Sequence, residues 1–278
     1  MRCAAVLLLP LLLSAADFRI DHVTIAGRDL VKMRAGLDAI GIPTVYGGAH
    51  SNSVTEMALT SFPDGTYLEA IALQHGADPA AVDRHEWAAF LKTAGMPAAW
   101  ALQAPDLATA TAQLRAAAVA VSTPVRSGRH RPDGKNLEWE TVNLGTETRG
   151  TFFPFLIHDL TPRDLRAFPS GQPTNRAYAG VSRVIVAVRN LDAAIARYRK
   201  AFGLAAPARR QDADFGAELA RFADFPVELA QPLASDNWIA ARIAQFGEGP
   251  CAFLLSGTTH GKTRWFDTAR LGWRLGVE

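Results

Sequence analysis

The feature that most constrains this chain is an internal repeat. Ile20 to Leu30 reads IDHVTIAGRDL, and Val181 to Leu191 reads VSRVIVAVRNL. Asp21 and Ser182 are 161 residues apart and Glu69 and Glu228 are 159 apart, so the likeness runs through a whole unit. The first unit reads as a strand over Ile20–Ala26, followed by a helix with Leu30, Met33, Leu37 and Ile40 on one face. Asp29 stands where an N-cap is wanted and Gly41 ends the helix. After Pro43 to Tyr46 comes a glycine turn at Gly47-Gly48. Strands over Val54–Ser61 and Thr66–Leu73 then flank a tight turn at Pro63-Asp64-Gly65.

The second copy repeats this order: a strand over Val181–Val188, an Asn190 cap, and a helix carrying Leu191, Ile195, Tyr198 and Phe202. Gly203 closes that helix, and a hairpin over Phe215–Phe222 and Pro226–Ala230 follows. A weaker copy lies between. It has a strand over Ala99–Ala104, an alanine-rich helix from Leu107 to Ala118, and strands over Ala120–Pro124, Leu137–Leu144 and Thr151–Ile157. Past Glu228 the pattern gives a short helix around Trp238, Ala241, Ile243 and Phe246, a strand over Cys251–Leu255 and a terminal strand over Trp273–Val277. No full helix can be placed after the Cys251 strand.

These readings define an α+β fold of βαβββ modules whose curved mixed sheets close into barrel-like clefts. A small curved sheet with one helix leaves its concave side open and gains by facing a second copy. Residues 17–160 form a paired unit, 161–178 a linker rich in proline and glycine, and 179–278 a second, incomplete unit.

The chain opens Met1-Arg2-Cys3, runs apolar from Ala4 to Leu13 and ends that run at Ser14-Ala15-Ala16. This is the order of a secretory signal over residues 1–16, which predicts a protein exported to a periplasmic or extracellular space. Cleavage after Ala16 would leave Cys251 without a partner, so stability rests on a core, and a mature chain of about 260 residues can bury a large one. No later stretch has the 18 or so continuous apolar residues of a membrane span, so no stable membrane insertion is expected. With 29 basic and 27 acidic residues the net charge is +2, which gives no general attraction to nucleic acid. Arg126, Arg129, His130, Arg131 and Lys135 cluster in a stretch that reads as a solvated turn, with an anion-binding rim as the alternative. TTHGKTR, from Thr258 to Arg264, lacks the glycine loop of a phosphate-binding motif, which argues against a nucleotide cofactor.

In the first unit His22 lies on the first strand, sharing its face with Thr24 and Ala26, and Glu69 lies on the last, sharing its face with Tyr67 and Ile71. A carboxylate interrupting a strand as apolar as Tyr67 to Ile71 calls for a partner. An imidazole and a carboxylate brought together with another donor suit a divalent metal such as zinc, iron, manganese or nickel. His50, after two glycines, can reach the mouth of that cleft. His158, beside Asp159, can turn inward from the end of its strand.

Ile20 to Leu30, the run Gly47-Gly48-Ala49-His50 and FPDGTYLEAI from Phe62 to Ile71 resemble the glyoxalase-like branch of the vicinal oxygen chelate superfamily. That superfamily also contains glyoxalase I, bleomycin resistance proteins and extradiol dioxygenases. LEWETVNL from Leu137, FFPFLIHDLTPRDLR from Phe152, FGEGPCAFLL from Phe246 and the closing GWRLGVE extend the resemblance over nearly the whole mature chain.

The resemblance implies metal ligands from a first-strand histidine and a last-strand glutamate, which here are His22 and Glu69, with His158 as a further ligand. The middle copy has Ala99 at the histidine position. The third unit has Arg183 there and keeps Glu228, and CAF stands where related sequences often read HHI. Arg183 and Glu228 can pair across the second cleft, or Arg183 can read a ligand carboxylate.

Three functions stay open. The first is a divalent-metal-dependent lyase, isomerase or dioxygenase acting on a small oxygenated molecule, with Glu69 and His50 catalytic and Tyr67, Arg183 and Glu228 lining the ligand pocket. The second is a non-catalytic small-molecule binding or sequestering protein. The third is a structural protein whose cleft is filled by its own side chains.

Overall fold

A computed structural model describes residues 18–257 and 263–278. Residues 1–16, where a secretory signal is expected, and most of TTHGKTR lie outside the described residues. The first unit contains β1 (Ile20–Ala26), α1 (Leu30–Asp38), β2 (Val45–His50), β3 (Thr55–Ser61) and β4 (Tyr67–Leu73), then the short helices α2 (Pro79–Arg84) and α3 (Ala88–Leu91). The middle unit contains β5 (Met96–Gln103), α4 (Leu107–Ala116), β6 (Val125–His130), β7 (Asn136–Val142), β8 (Phe155–Asp159) and α5 (Arg163–Ala167). The C-terminal part runs β9 (Val181–Ala187), α6 (Leu191–Phe202), β10 (Ala208–Asp212), β11 (Ala217–Arg221), β12 (Val227–Pro232), α7 (Trp238–Phe246) and β13 (Gly249–Leu255). It ends with β14 (Arg264–Trp265), α8 (Thr268–Leu271) and β15 (Arg274–Val277).

The three module helices start the same way. Asp29, Asp106 and Asn190 each accept the backbone N–H three residues on, from Lys32, Thr109 and Ala193, which satisfies a donor the helix leaves unpaired.

The first two units close one barrel in the order β1-β4-β3-β2-β6-β7-β8-β5. The C-terminal strands form an open sheet in the order β10-β11-β12-β9-β13-β15-β14. Strand alternation sorts β1 into two cores. Val23 and Ile25, with Trp100 and Leu102 of β5, join Val184, Val186 and Phe253 of the second sheet in one cluster between the two halves. Ala26, Met57, Tyr67, Ile71, Phe155 and Ile157 face the barrel interior. One face of the open sheet is covered by α7, whose Ile239 and Ile243 join Ile185, Leu219, Cys251 and Leu254 in a third core.

Four local expectations change. Gly47-Gly48 is not a turn but part of β2, at a register shift between Tyr46 and Gly48. Gly48 has φ +116°, and a Cβ there would stand 1.8 Å from the His130 carbonyl oxygen, so glycine permits β2 and β6 to meet and close the barrel. The basic stretch is a turn only over residues 131–135: residues 125–130 form β6, while the expected strand at Ala120–Pro124 shrinks to one bridge between Val121 and Leu144. Leu160 to Tyr178 carries α5, whose Arg166 is buried. No helix among the described residues is long and apolar enough to cross a membrane.

Candidate active site

The site starts from an irregularity in β1. The β1–β5 register shifts between Ile20 and His22, leaving Asp21 as the extra residue of a bulge. A bulge re-aims a side chain that alternation would send to the other face. The Asp21 carboxylate takes two parallel hydrogen bonds from Arg166, one from Arg163 Nη1 and one from His22 Nδ1 at 2.6 Å. Arg166 also donates to both oxygens of Asp159 at 2.5 and 2.7 Å and to the Tyr67 hydroxyl. Burial alone would raise the Asp21 carboxyl, but Arg166, His22 and Arg163 hold it well below the usual carboxylate range.

An ionised carboxylate only accepts, so the imidazole proton sits on Nδ1 of His22 and Nε2 is left to the cavity. That Nε2 lies 3.5 Å from Oε2 of Glu69. The His22 ring stacks on Tyr67, with centroids 4.8 Å apart and planes 7° from parallel, and meets Phe155 edge-on at 5.5 Å.

Glu69 pairs with Thr24 across the parallel β1–β4 ladder, and Thr24 Oγ1 donates to its Oε2 at 3.1 Å. On its other side His50 Nε2 stands 3.8 Å from Oε1. His50 Nδ1 is 2.9 Å from Thr55 Oγ1. Burial pushes the His50 imidazole down to about 4, with Arg129, Arg149 and His85 adding to the effect and Glu69 opposing it. His50 is therefore neutral near pH 7.

These groups line a pocket that opens to solvent. Its walls are aromatic, from Trp87, Trp139 and Phe155, and cationic, from Arg129 and Arg149. Arg149 pairs with Glu86 and lies over the Trp87 and Phe155 rings at 5.1 and 5.2 Å. Arg129 alone of the basic cluster is buried, at 2% exposure.

The structure thus gathers His22, His50, Tyr67 and Glu69 in one pocket. It does not bring in His158. Phe155 and Ile157 of β8 face inward, so alternation sends His158 outward, where Nδ1 lies 3.0 Å from the Ala104 carbonyl oxygen. Arg183 and Glu228 lie in the other half and share no pocket with Tyr67. They are 3.7 Å apart, but Arg183 binds Glu278 more closely, at 2.8 Å, and Glu228 binds Arg210. Cys251 is buried on β13, and burial pushes its thiol up to about 12.

The donor set does not fit a resident divalent ion. Among the described residues no three His, Cys, Asp or Glu side chains group to hold a metal. His22 and Glu69 meet here without His158, the third member of the expected set, and guanidinium groups occupy the adjoining wall.

Asp21, Arg149 and Arg166 were not singled out for the site by sequence reasoning, and Arg129 stood only within the basic cluster. The available signals were an acid next to His22 in an apolar strand and the paired arginines of PRDLR.

No curated protein matches this chain. Among solved structures, a hypothetical protein from Staphylococcus aureus superposes with a TM-score of 0.64 at 13% identity, covering 94% of this chain and 99% of that one. A triple mutant of 4-hydroxymandelate synthase from Streptomyces coelicolor gives 0.57 at 15% identity, covering 86% of this chain and 71% of that one. A family model described as a glyoxalase-like domain matches residues 20–183, which take in the whole barrel, Arg166 and the first residues of β9. The chain belongs to this glyoxalase-like domain family.

Proposed function

We propose that the barrel pocket binds a small oxygenated molecule and that Glu69 moves a proton on it, assisted by His22. One observation carries this reading: a buried carboxylate faces the free nitrogen of a histidine whose other nitrogen is held by Asp21, inside an aromatic cavity. Asp21 and Arg166 fix the ring and its tautomer, and the pocket limits water around the acid. The fitting reaction is proton abstraction next to a carbonyl. The C–H bond breaks, its proton goes to Glu69, and its electron pair moves into the carbonyl to give an enolate. Glu69 can pass the proton to Nε2 of His22. Its return to the same or a neighbouring carbon completes an epimerisation or isomerisation with no added reactant.

His158, the third ligand expected from the family resemblance, is turned away from the pocket, and the steps above use protein groups alone. The same shortfall favours a second reading, retention of an oxygenated ligand without turnover.

Incubation of the purified chain with small carbonyl compounds in deuterium oxide, followed by proton NMR, separates the two. The proton-transfer reading expects deuterium at the carbon next to the carbonyl, persisting in chelator and falling at least ~100-fold in Glu69→Gln. Binding without exchange supports the second reading and overturns the first.

A further inference from the structure

We infer that Arg129 anchors the carboxylate of a small organic acid in the barrel pocket. The proposal deepens the function just described and rests on it.

The other cations at the pocket have acidic partners. Arg166 is held by Asp21 and Asp159, and Arg149 by Glu86. Arg129 has none within ion-pair distance among the described residues, although only 2% of it is exposed. Its Nη2 donates to the Arg166 carbonyl oxygen at 3.0 Å, Nη1 contacts Met57 Sδ at 2.7 Å, and Nε has no hydrogen-bond partner. Neutral acceptors do not offset the cost of taking a guanidinium from water. A ligand carboxylate would supply the missing charge.

The backbone sets this placement. Arg129 pairs directly with His50 across the β2–β6 ladder, so both side chains enter the barrel together. His50 in turn lies 3.8 Å from Glu69. Gly47 makes the room: a Cβ there would sit 2.7 Å from Arg129 Nη1 and 2.2 Å from Met57 Sδ. An acid bound at Arg129 would have its carboxylate beside the neutral His50 and its neighbouring carbon directed towards Glu69. The Trp139 and Phe155 rings would take a flat apolar body.

Calorimetric titration of the full chain with phenylacetate and its neutral analogue phenylacetamide tests this. A charge-assisted anchor should favour the acid by about 10- to 100-fold. Arg129→Met should bring the two affinities together while leaving the amide's affinity in place, and should melt no lower than the parent, because it removes an unpaired buried charge. Arg129→Lys, which keeps charge but loses the planar fork, should retain only part of the preference.

Equal affinities in the parent protein, no binding of either probe, an unaltered preference in both variants, or a marked loss of stability in Arg129→Met would each overturn the anchor. Glu69→Gln should leave the acid-over-amide preference standing. Proton exchange undiminished in Glu69→Gln, with that preference intact, would therefore sink the proton-transfer reading alone.

Discussion

The carboxylate of Asp21 grips the guanidinium of Arg166 through two parallel hydrogen bonds, Oδ1 to Nη1 at 2.8 Å and Oδ2 to Nη2 at 2.9 Å. Both side chains are almost fully buried, and the pair ties the first strand of the barrel to α5, 145 residues further on. The same carboxylate holds Nδ1 of His22, so one residue fixes both a tertiary tie and the orientation of the imidazole.

Asp21→Asn should therefore fail in two ways. Removing one partner of a buried ion pair leaves an uncompensated charge, and about 3–5 kcal/mol of stability should go, read by urea unfolding at pH 7. Proton exchange by the folded fraction should also fall, because an amide no longer dictates which His22 nitrogen carries the proton. Since folding holds the Asp21 carboxyl below its ordinary value, its stabilisation is present above about pH 4 and drains away as pH falls further. The variant should lack that acid-sensitive component.

A second pH window belongs to His50. Its folded value near 4 lies below the ordinary 6.5, so the unfolded chain takes up a proton that the folded chain refuses. The stability from a neutral His50 is complete above about pH 6.5 and declines towards pH 4. His50→Gln should flatten the stability profile over that interval and leave the more acidic loss of Asp21 in place. Unfolding curves at pH 7, 5.5 and 4.5 read the difference, and a parallel decline in both proteins would refute the assignment.

Two glycines offer a matched comparison. Gly48 combines φ +116° with a backbone oxygen 1.8 Å from any added Cβ, whereas Gly41 has φ +79° and nothing within 4 Å. Gly41→Ala should cost only the left-handed strain of about 1–2 kcal/mol. Gly48→Ala must also push β2 from β6, so its loss should exceed about 3 kcal/mol and weaken ligand binding through His50 and Arg129. Equal thermal shifts for the two variants would contradict the close approach.

What could be read in advance follows from how local each signal is. The repeat, the Asx caps and the His22–Glu69 pairing were legible because apolar alternation and capping act within a few residues. β10 was not, because Ala208-Arg209-Arg210-Gln211-Asp212 is an exposed edge strand with no apolar face to betray it. β6 was missed for a related reason: its Arg126 and His130 point to solvent, and Arg129 is drawn inward only by a ladder formed with β2. Gly47-Gly48 reads as a turn in isolation, and only the neighbours that crowd it show why side chains are absent there. The grip of Arg166 on Asp21 depends on a bulge, which shifts one residue against a partner strand that the local pattern does not specify.

The open sheet supplies the last prediction. The barrel interior keeps an open pocket; in the second sheet Ile239 and Ile243 of α7 cover one face, and Trp238 donates from its indole to the Phe215 carbonyl oxygen. If α7 is a tightly packed cover, shortening its fully buried Ile239 to alanine should leave a cavity and cost about 2–5 kcal/mol, read by urea unfolding. Ile239 contributes nothing to the barrel pocket, so exchange by the folded variant should match the parent. A stability loss under about 1 kcal/mol would mean that the cavity collapses readily around the missing atoms and that the helix is no tight cover. A loss of exchange in the folded variant would instead show that the second sheet braces the barrel through the core shared by Val23, Trp100, Val184 and Phe253.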